Sequence, residues 1–171
     1  MRDVAVRSYD EARALQRVLR RIGASAPGSW VLRRTFHHLD GAVHRISGHR
    51  ITLAGSVVGI PTAMLTTTGA RTAAAGPSRS AVAVPGGWGL VASSLGQEHH
   101  PGWYHNLRAN PNAVLEVDGQ RVEVVARQVH GPERNAVREA ALRIYPGYVV
   151  YEQRARHRDL GYFVLRRKPP T

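Results

Sequence analysis

Ser80-Ala81-Val82-Ala83-Val84-Pro85-Gly86-Gly87-Trp88-Gly89-Leu90-Val91-Ala92-Ser93 decides the fold class. Two short apolar runs, Ser80–Val84 and Trp88–Ser93, flank Pro85-Gly86-Gly87, the sequence pattern of a β-hairpin. Upstream, Thr62–Thr68 is apolar and β-branched until Gly69 breaks it. Downstream, Ala113–Val117 and Arg121–Val129 flank Asp118-Gly119, a second hairpin. Gly161–Arg166 reads as a last strand. Five or six short, mostly hairpin-linked strands with few helices predict an antiparallel barrel in an α+β chain. One helix interrupts them: Pro132–Ile144 has proline in its first turn and Val137, Ala140, Ala141 and Ile144 on one side.

Ahead of the strands the period changes to that of helices. Ser8-Tyr9-Asp10-Glu11 is a capping box, and Leu15, Val18, Leu19 and Ile22 follow on one face. Gly23–Ser29 reads as a linker. Trp30–Ile46 carries an apolar stripe of Leu32, Phe36, Leu39, Val43 and Ile46. The chain therefore divides into two amphipathic helices over 1–47 and a barrel over 48–171. Two readings of the Arg-rich helices stand side by side. They pack on the barrel or on a second subunit, or they attach reversibly to an anionic membrane surface. Without a helix-turn-helix, zinc or RNA-binding signature, nucleic acid is not the expected partner.

Composition narrows the chemistry. The 171 residues suffice for one real core. The absence of cysteine excludes disulfides, thiolate chemistry and thiolate-held metal, and it suits the cytoplasm. No apolar run approaches the roughly 20 residues of a membrane span, and Met1-Arg2-Asp3 opens no secretory signal. The formal charge is +12, from 24 Lys and Arg (Lys168 the single lysine) against 12 Asp and Glu. That excess favours anionic partners: nucleic acid, anionic lipid or a phosphorylated cofactor. His37-His38 and His99-His100 are adjacent pairs, which do not share a helix face, and no nearby acidic pair completes a metal site.

His99-His100-Pro101-Gly102-Trp103-Tyr104-His105-Asn106-Leu107-Arg108-Ala109-Asn110-Pro111 reads as a short helix opening after Pro101 and closing at Asn110-Pro111. Trp103 and Leu107, four apart, either anchor that helix to the core or, with its polar neighbours, line a pocket. Arg71 follows a strand and a glycine, where backbone N–H groups and a guanidinium suit a phosphate. Tyr145, Tyr148 and Tyr151 recur every three residues and share roughly one face. Three phenols together make a good pocket wall, or aromatic packing under a loop.

Taken together, Thr66-Thr67-Thr68-Gly69-Ala70-Arg71-Thr72, Trp103 to Pro111, and Ile144-Tyr145-Pro146-Gly147-Tyr148-Val149-Val150-Tyr151 resemble the deazaflavin-dependent nitroreductase family. These are small oxidoreductases of actinobacteria with a split β-barrel, like that of FMN-binding proteins, and they use coenzyme F420. The similarity runs from about His44 to Leu165. It implies that Thr68, Arg71 and Thr72 help hold the cofactor's phosphate end, with Arg79 as a second arginine if the loop is shifted. Ala73-Ala74-Ala75-Gly76 departs from the family's loop pattern, and Leu95 stands where a basic residue is usual. The resemblance further implies that Ser93, Ser94, Gly96, Trp103 and Asn106 fix the deazaflavin ring. Asn106 is chemically apt, since an amide both donates and accepts. Tyr145, Tyr148 and Tyr151 would border the substrate. Tyr148, with Ser94, would take the catalytic role, a phenol of pKa about 10 being protonated at neutral pH and fit for a general acid.

The implied activity is hydride transfer from reduced F420 to an activated C=C, quinone or nitro acceptor in a hydrophobic small molecule. FMN or no cofactor are the lesser alternatives. With the loop and Leu95 altered, the other reading is a cofactor-free biosynthetic enzyme or a hydrophobic-ligand-binding protein. Monomer and homodimer both stay open, as does membrane association of a cytoplasmic protein.

Overall fold

A computed structural model describes residues 62–69, 73–117 and 119–169, with side chains at 63–69, 81–117 and 119–169. The two N-terminal helices expected over 1–47 lie outside the described residues, as do Arg71, Thr72 and Asp118. Six strands are present among the described residues: β1 (Thr62–Thr68), β2 (Ala73–Val84), β3 (Gly87–Val91), β4 (Asn112–Val117), β5 (Gln120–Gln128) and β6 (Tyr162–Arg167). All pairings are antiparallel, in the order β1-β2-β3-β6-β5-β4, and β4 pairs back to β1 so that the ring closes. Among the described residues three α-helices accompany it: α1 (Gly102–Ala109), α2 (Gly131–Ile144) and α3 (Tyr148–Arg154).

The hairpins at Pro85-Gly86 and Gly119 stand where turn chemistry places them, and β5 and β6 differ from expectation by one residue at each end. Two boundaries need correction: β3 ends at Val91, not Ser93, and β2 starts well before its expected first residue. β2 begins at Ala73, not Ser80, so Ala73–Gly76 are strand residues rather than loop. They pair with the end of β1: Thr68↔Ala73, Thr67↔Ala74, Thr66↔Ala75 and Leu65↔Gly76. Alanine and glycine have weak strand propensity, and here the ladder to β1 overrides it. Between Ala63↔Arg79 and Leu65↔Gly76 the register slips, with the extra residue on β2. Pro77 falls inside that slip, where a residue with no N–H to donate is tolerated. The connection expected to hold a phosphate is thereby confined to residues 69–72, and Arg79 belongs to the strand.

The strands bury two faces. Inside the ring, Leu65, Leu90, Leu115, Val122, Val124, Phe163 and Leu165 form one core with Trp103, Tyr104 and Leu107 of α1. Outside it, α2 lays Val137, Ala140, Ala141 and Ile144 against Val82, Tyr162 and Val164, and the three tyrosines join this second core. β6 is therefore buried at four consecutive positions, Tyr162 to Leu165, because both of its faces are covered. β5 keeps strict alternation, its outer side facing solvent. Gly89 permits the close approach of α2, since a Cβ there would lie 2.8 Å from Val137 Cγ1.

Candidate functional site

Helix α1 brings the first group of candidate residues together. It runs from Pro101, whose carbonyl accepts from Tyr104 N, to Asn110, whose N–H reaches Asn106 O at 2.7 Å. The Asn110 side-chain oxygen then accepts from Asn112 N at 3.0 Å, turning the chain across Pro111 into β4. Trp103, Tyr104 and Leu107 are buried, so the helix is anchored to the barrel core. Trp103 stands edge-on to Phe163, with ring centres 5.7 Å apart. Half-buried Asn106 donates from Nδ2 to the hydroxyl of buried Thr67 at 2.9 Å, tying α1 to β1. Its Oδ1, beside the end of β1, makes no hydrogen bond to the described residues. Thr68, next along the strand, is exposed.

The second group lies on the turn after β3. Ser93 is buried, and Ser94–Gly96 forms a short 3-10 turn. Ser94, Leu95 and Gly96 have φ of 48°, 56° and 79°, three left-handed residues in succession. A left-handed residue other than glycine costs about 1–2 kcal/mol, so the surroundings must hold Ser94 and Leu95 there. Leu95 packs on the second core instead of pointing an anion-binding group outward. Gly96 meets α3 closely: a Cβ on it would lie 2.9 Å from Arg154 Cβ and 3.3 Å from Tyr151 Cα. The serine turn and the tyrosine helix are thus neighbours.

The tyrosines form a compact cluster. Tyr145, Tyr148 and Tyr151 are all buried, with ring centres 5.6–6.0 Å apart and two of the three pairs edge-to-face. The Tyr145 and Tyr151 hydroxyls lie 3.1 Å apart. Burial, then the neighbouring Tyr145, pushes the Tyr151 phenol well above its usual pKa, so it stays protonated.

Arg158 was not legible as a site residue in the sequence. It sits in the polar run His157-Arg158-Asp159, which gives no periodic or motif signal. Its guanidinium donates to Gln97 O (3.0 Å), Ala92 O (3.3 Å) and Ser93 O (3.0 Å), and it lies 3.1 Å from His100 Nδ1. Burial lowers its pKa, yet an arginine remains charged. Among the described residues no group of His, Asp or Glu is arranged to hold a metal ion, and no helix is long and apolar enough to cross a membrane.

A family model described as F420H(2)-dependent quinone reductase matches residues 39–167. The chain belongs to that family. An F420H(2)-dependent quinone reductase of Mycobacterium tuberculosis is 39% identical over 89 residues, 50% of this chain and 56% of the relative. A protein of Mycobacterium bovis named for the same activity matches equally. The chain thus spans little more than half the length of these curated relatives. Among solved structures, an F420-H2 dependent reductase (FDR-A) superposes with a TM-score of 0.56 at 30% identity, covering 61% of this chain and 93% of that one. A structure described as a domain-swapped dimer gives a TM-score of 0.58 at 27% identity, covering 82% and 99%. The enzyme class and cofactor in the family's name are those the resemblance implied.

Proposed function

We propose that this chain is an F420H2-dependent reductase acting on a quinone, an activated C=C or a nitro group of a hydrophobic small molecule. The observation that carries the reading is Asn106, fixed to Thr67 through one amide N–H with its carbonyl oxygen unbonded among the described residues, in a chain of this family. Such an amide matches the alternating donor and acceptor edge of a flavin-like ring. Reduced F420 supplies the hydride when bound, and the protein supplies orientation and electrostatics.

The roles proposed for this chain's residues are those the family resemblance implies. Asn106, Trp103 and the Ser93, Ser94 and Gly96 turn orient the ring. Arg71 and Thr72, with Thr68 beside them, hold the phosphate end. Arg79, now a strand residue, is the second cation proposed for it. Tyr148, first residue of α3, donates the proton that completes a two-electron reduction, and Tyr145 and Tyr151 hold its ring in place. Homodimerisation is proposed by likeness to the relative described as a domain-swapped dimer.

Titration of the purified protein with F420, followed by fluorescence, tests the reading. Micromolar binding that weakens about tenfold in Asn106→Ala, the loss of about 1.4 kcal/mol, is the expected result. Failure to bind at hundreds of micromolar overturns it and favours a barrel that binds another hydrophobic ligand. With binding in hand, Tyr148→Phe is expected to lower kcat for quinone reduction while leaving F420 affinity within twofold.

A further inference from the structure

The serine turn is held in an unfavourable backbone conformation, and its two ends are bridged by one side chain. Arg158 bonds the carbonyls of Ala92 and Ser93 before the left-handed residues and that of Gln97 after them. No carboxylate takes part in these bonds, so among the described residues the guanidinium reads backbone geometry. Arg158 is itself fixed behind α3, with its N–H on Ala155 O and the Ala155 N–H on Tyr151 O.

The same guanidinium reaches the other half of the candidate site. His100 Nδ1 lies 3.1 Å from it, and the imidazole stacks on Tyr104 of α1 at 3.8 Å with the planes 8° apart. Tyr104 is buried in the barrel core and lies on the helix that carries Trp103 and Asn106. Arg158 therefore connects the serine turn, α1 and the end of α3.

We infer that Arg158 is a positioning residue: its fork, closed by neutral His100, sets the Ser93–Gly96 turn against α1 so that both meet the same ring. This rests on the reading that the turn and α1 face the deazaflavin. The fork requires an acceptor at His100 Nδ1, hence an unprotonated ring. Among the described residues the groups around His100 are Arg158 and Asp159 from the segment behind α3, and Tyr104, His105 and Arg108 from α1, with Glu98 and His99 on its own segment. Burial first, then Arg158, His105 and Arg108, hold its pKa below 6.5, with Asp159 opposing. The contact is complete above pH 6.5 and is lost as pH falls through that lowered value.

The test uses the full chain with Arg158→Gln, Arg158→Lys and His100→Phe, measuring amide-exchange protection of residues 92–97 and F420 affinity. Expected are a tenfold or greater loss of protection in the turn and a tenfold weaker F420 affinity in Arg158→Gln, with protection of β5 unchanged. Arg158→Lys is not expected to rescue, because one ammonium cannot reproduce a planar fork on three carbonyls. In the wild type, turn protection relative to β5 falls on acidification below pH 6.5, and His100→Phe abolishes that dependence. Turn protection and affinity within twofold of wild type in Arg158→Gln overturn the inference. Should that variant not fold, unchanged turn protection in His100→Phe overturns it instead. If wild-type protein binds no F420, the functional reading fails, while the exchange measurement still decides whether Arg158 holds the turn.

Discussion

Inside the ring of strands, Leu65, Leu90, Leu115, Phe163 and Leu165 are at most 1% exposed, and the core they form is hydrocarbon and aromatic ring. On the outer side, under α2 and α3, the burial is shared with polar groups. Tyr162 donates to Glu152 at 2.7 Å, and Arg138 binds the same carboxylate through two nitrogens at 2.7 Å each. The guanidinium of Arg134 lies over the Tyr162 ring at 4.8 Å. The interior is non-directional and volume-filling, so it specifies a barrel. The outer layer depends on aimed hydrogen bonds, so it specifies where α3 and the turn beside it come to rest.

Emptying part of the interior should cost most. Phe163→Ala is expected to lose about 3–5 kcal/mol, through lost burial and the cavity left behind. Urea denaturation checks this, and a loss below about 1 kcal/mol would mean that the interior repacks freely and the contrast fails.

The outer layer should respond less. Glu152→Gln is expected to cost about 1 kcal/mol, discounted because the ion pair is partly solvated. Burial raises the Glu152 pKa, but hydrogen bonds from Arg138 and Tyr162 outweigh it, and the net shift is below 4.5. The stabilisation is thus complete above pH 4.5 and disappears as pH falls through the lowered value. Thermal melts of wild type and Glu152→Gln should differ at neutral pH and converge in acid. A gap that persists unchanged in acid would assign the effect to packing instead of charge.

Almost nothing should change where neither core is involved. Arg127 and Glu133 form an exposed pair at 2.7 Å, the kind that contributes little. Arg127→Ala should leave the melting temperature unchanged within error, and a clear drop would extend the directional layer to the surface.

Elements with local signals were legible in the sequence. The alternation of β5, the four inward residues of α2 and the limits of α1 between Pro101 and Asn110 follow from side-chain period and from proline's missing N–H. Family likeness reached further, to the cofactor named by the family that matches. Features that depend on partners distant in the chain emerged only from the folded molecule. The Asn106–Thr67 bond joins residues 39 apart, and Arg158 reaches carbonyls 61 to 66 residues away. β2 likewise extends back to Ala73 because β1 is beside it, against the propensity of its own alanines. Period and turn chemistry act over a few residues and can be read there. A hydrogen bond across the fold has no local pattern, because its geometry exists only once both of its ends have been brought together.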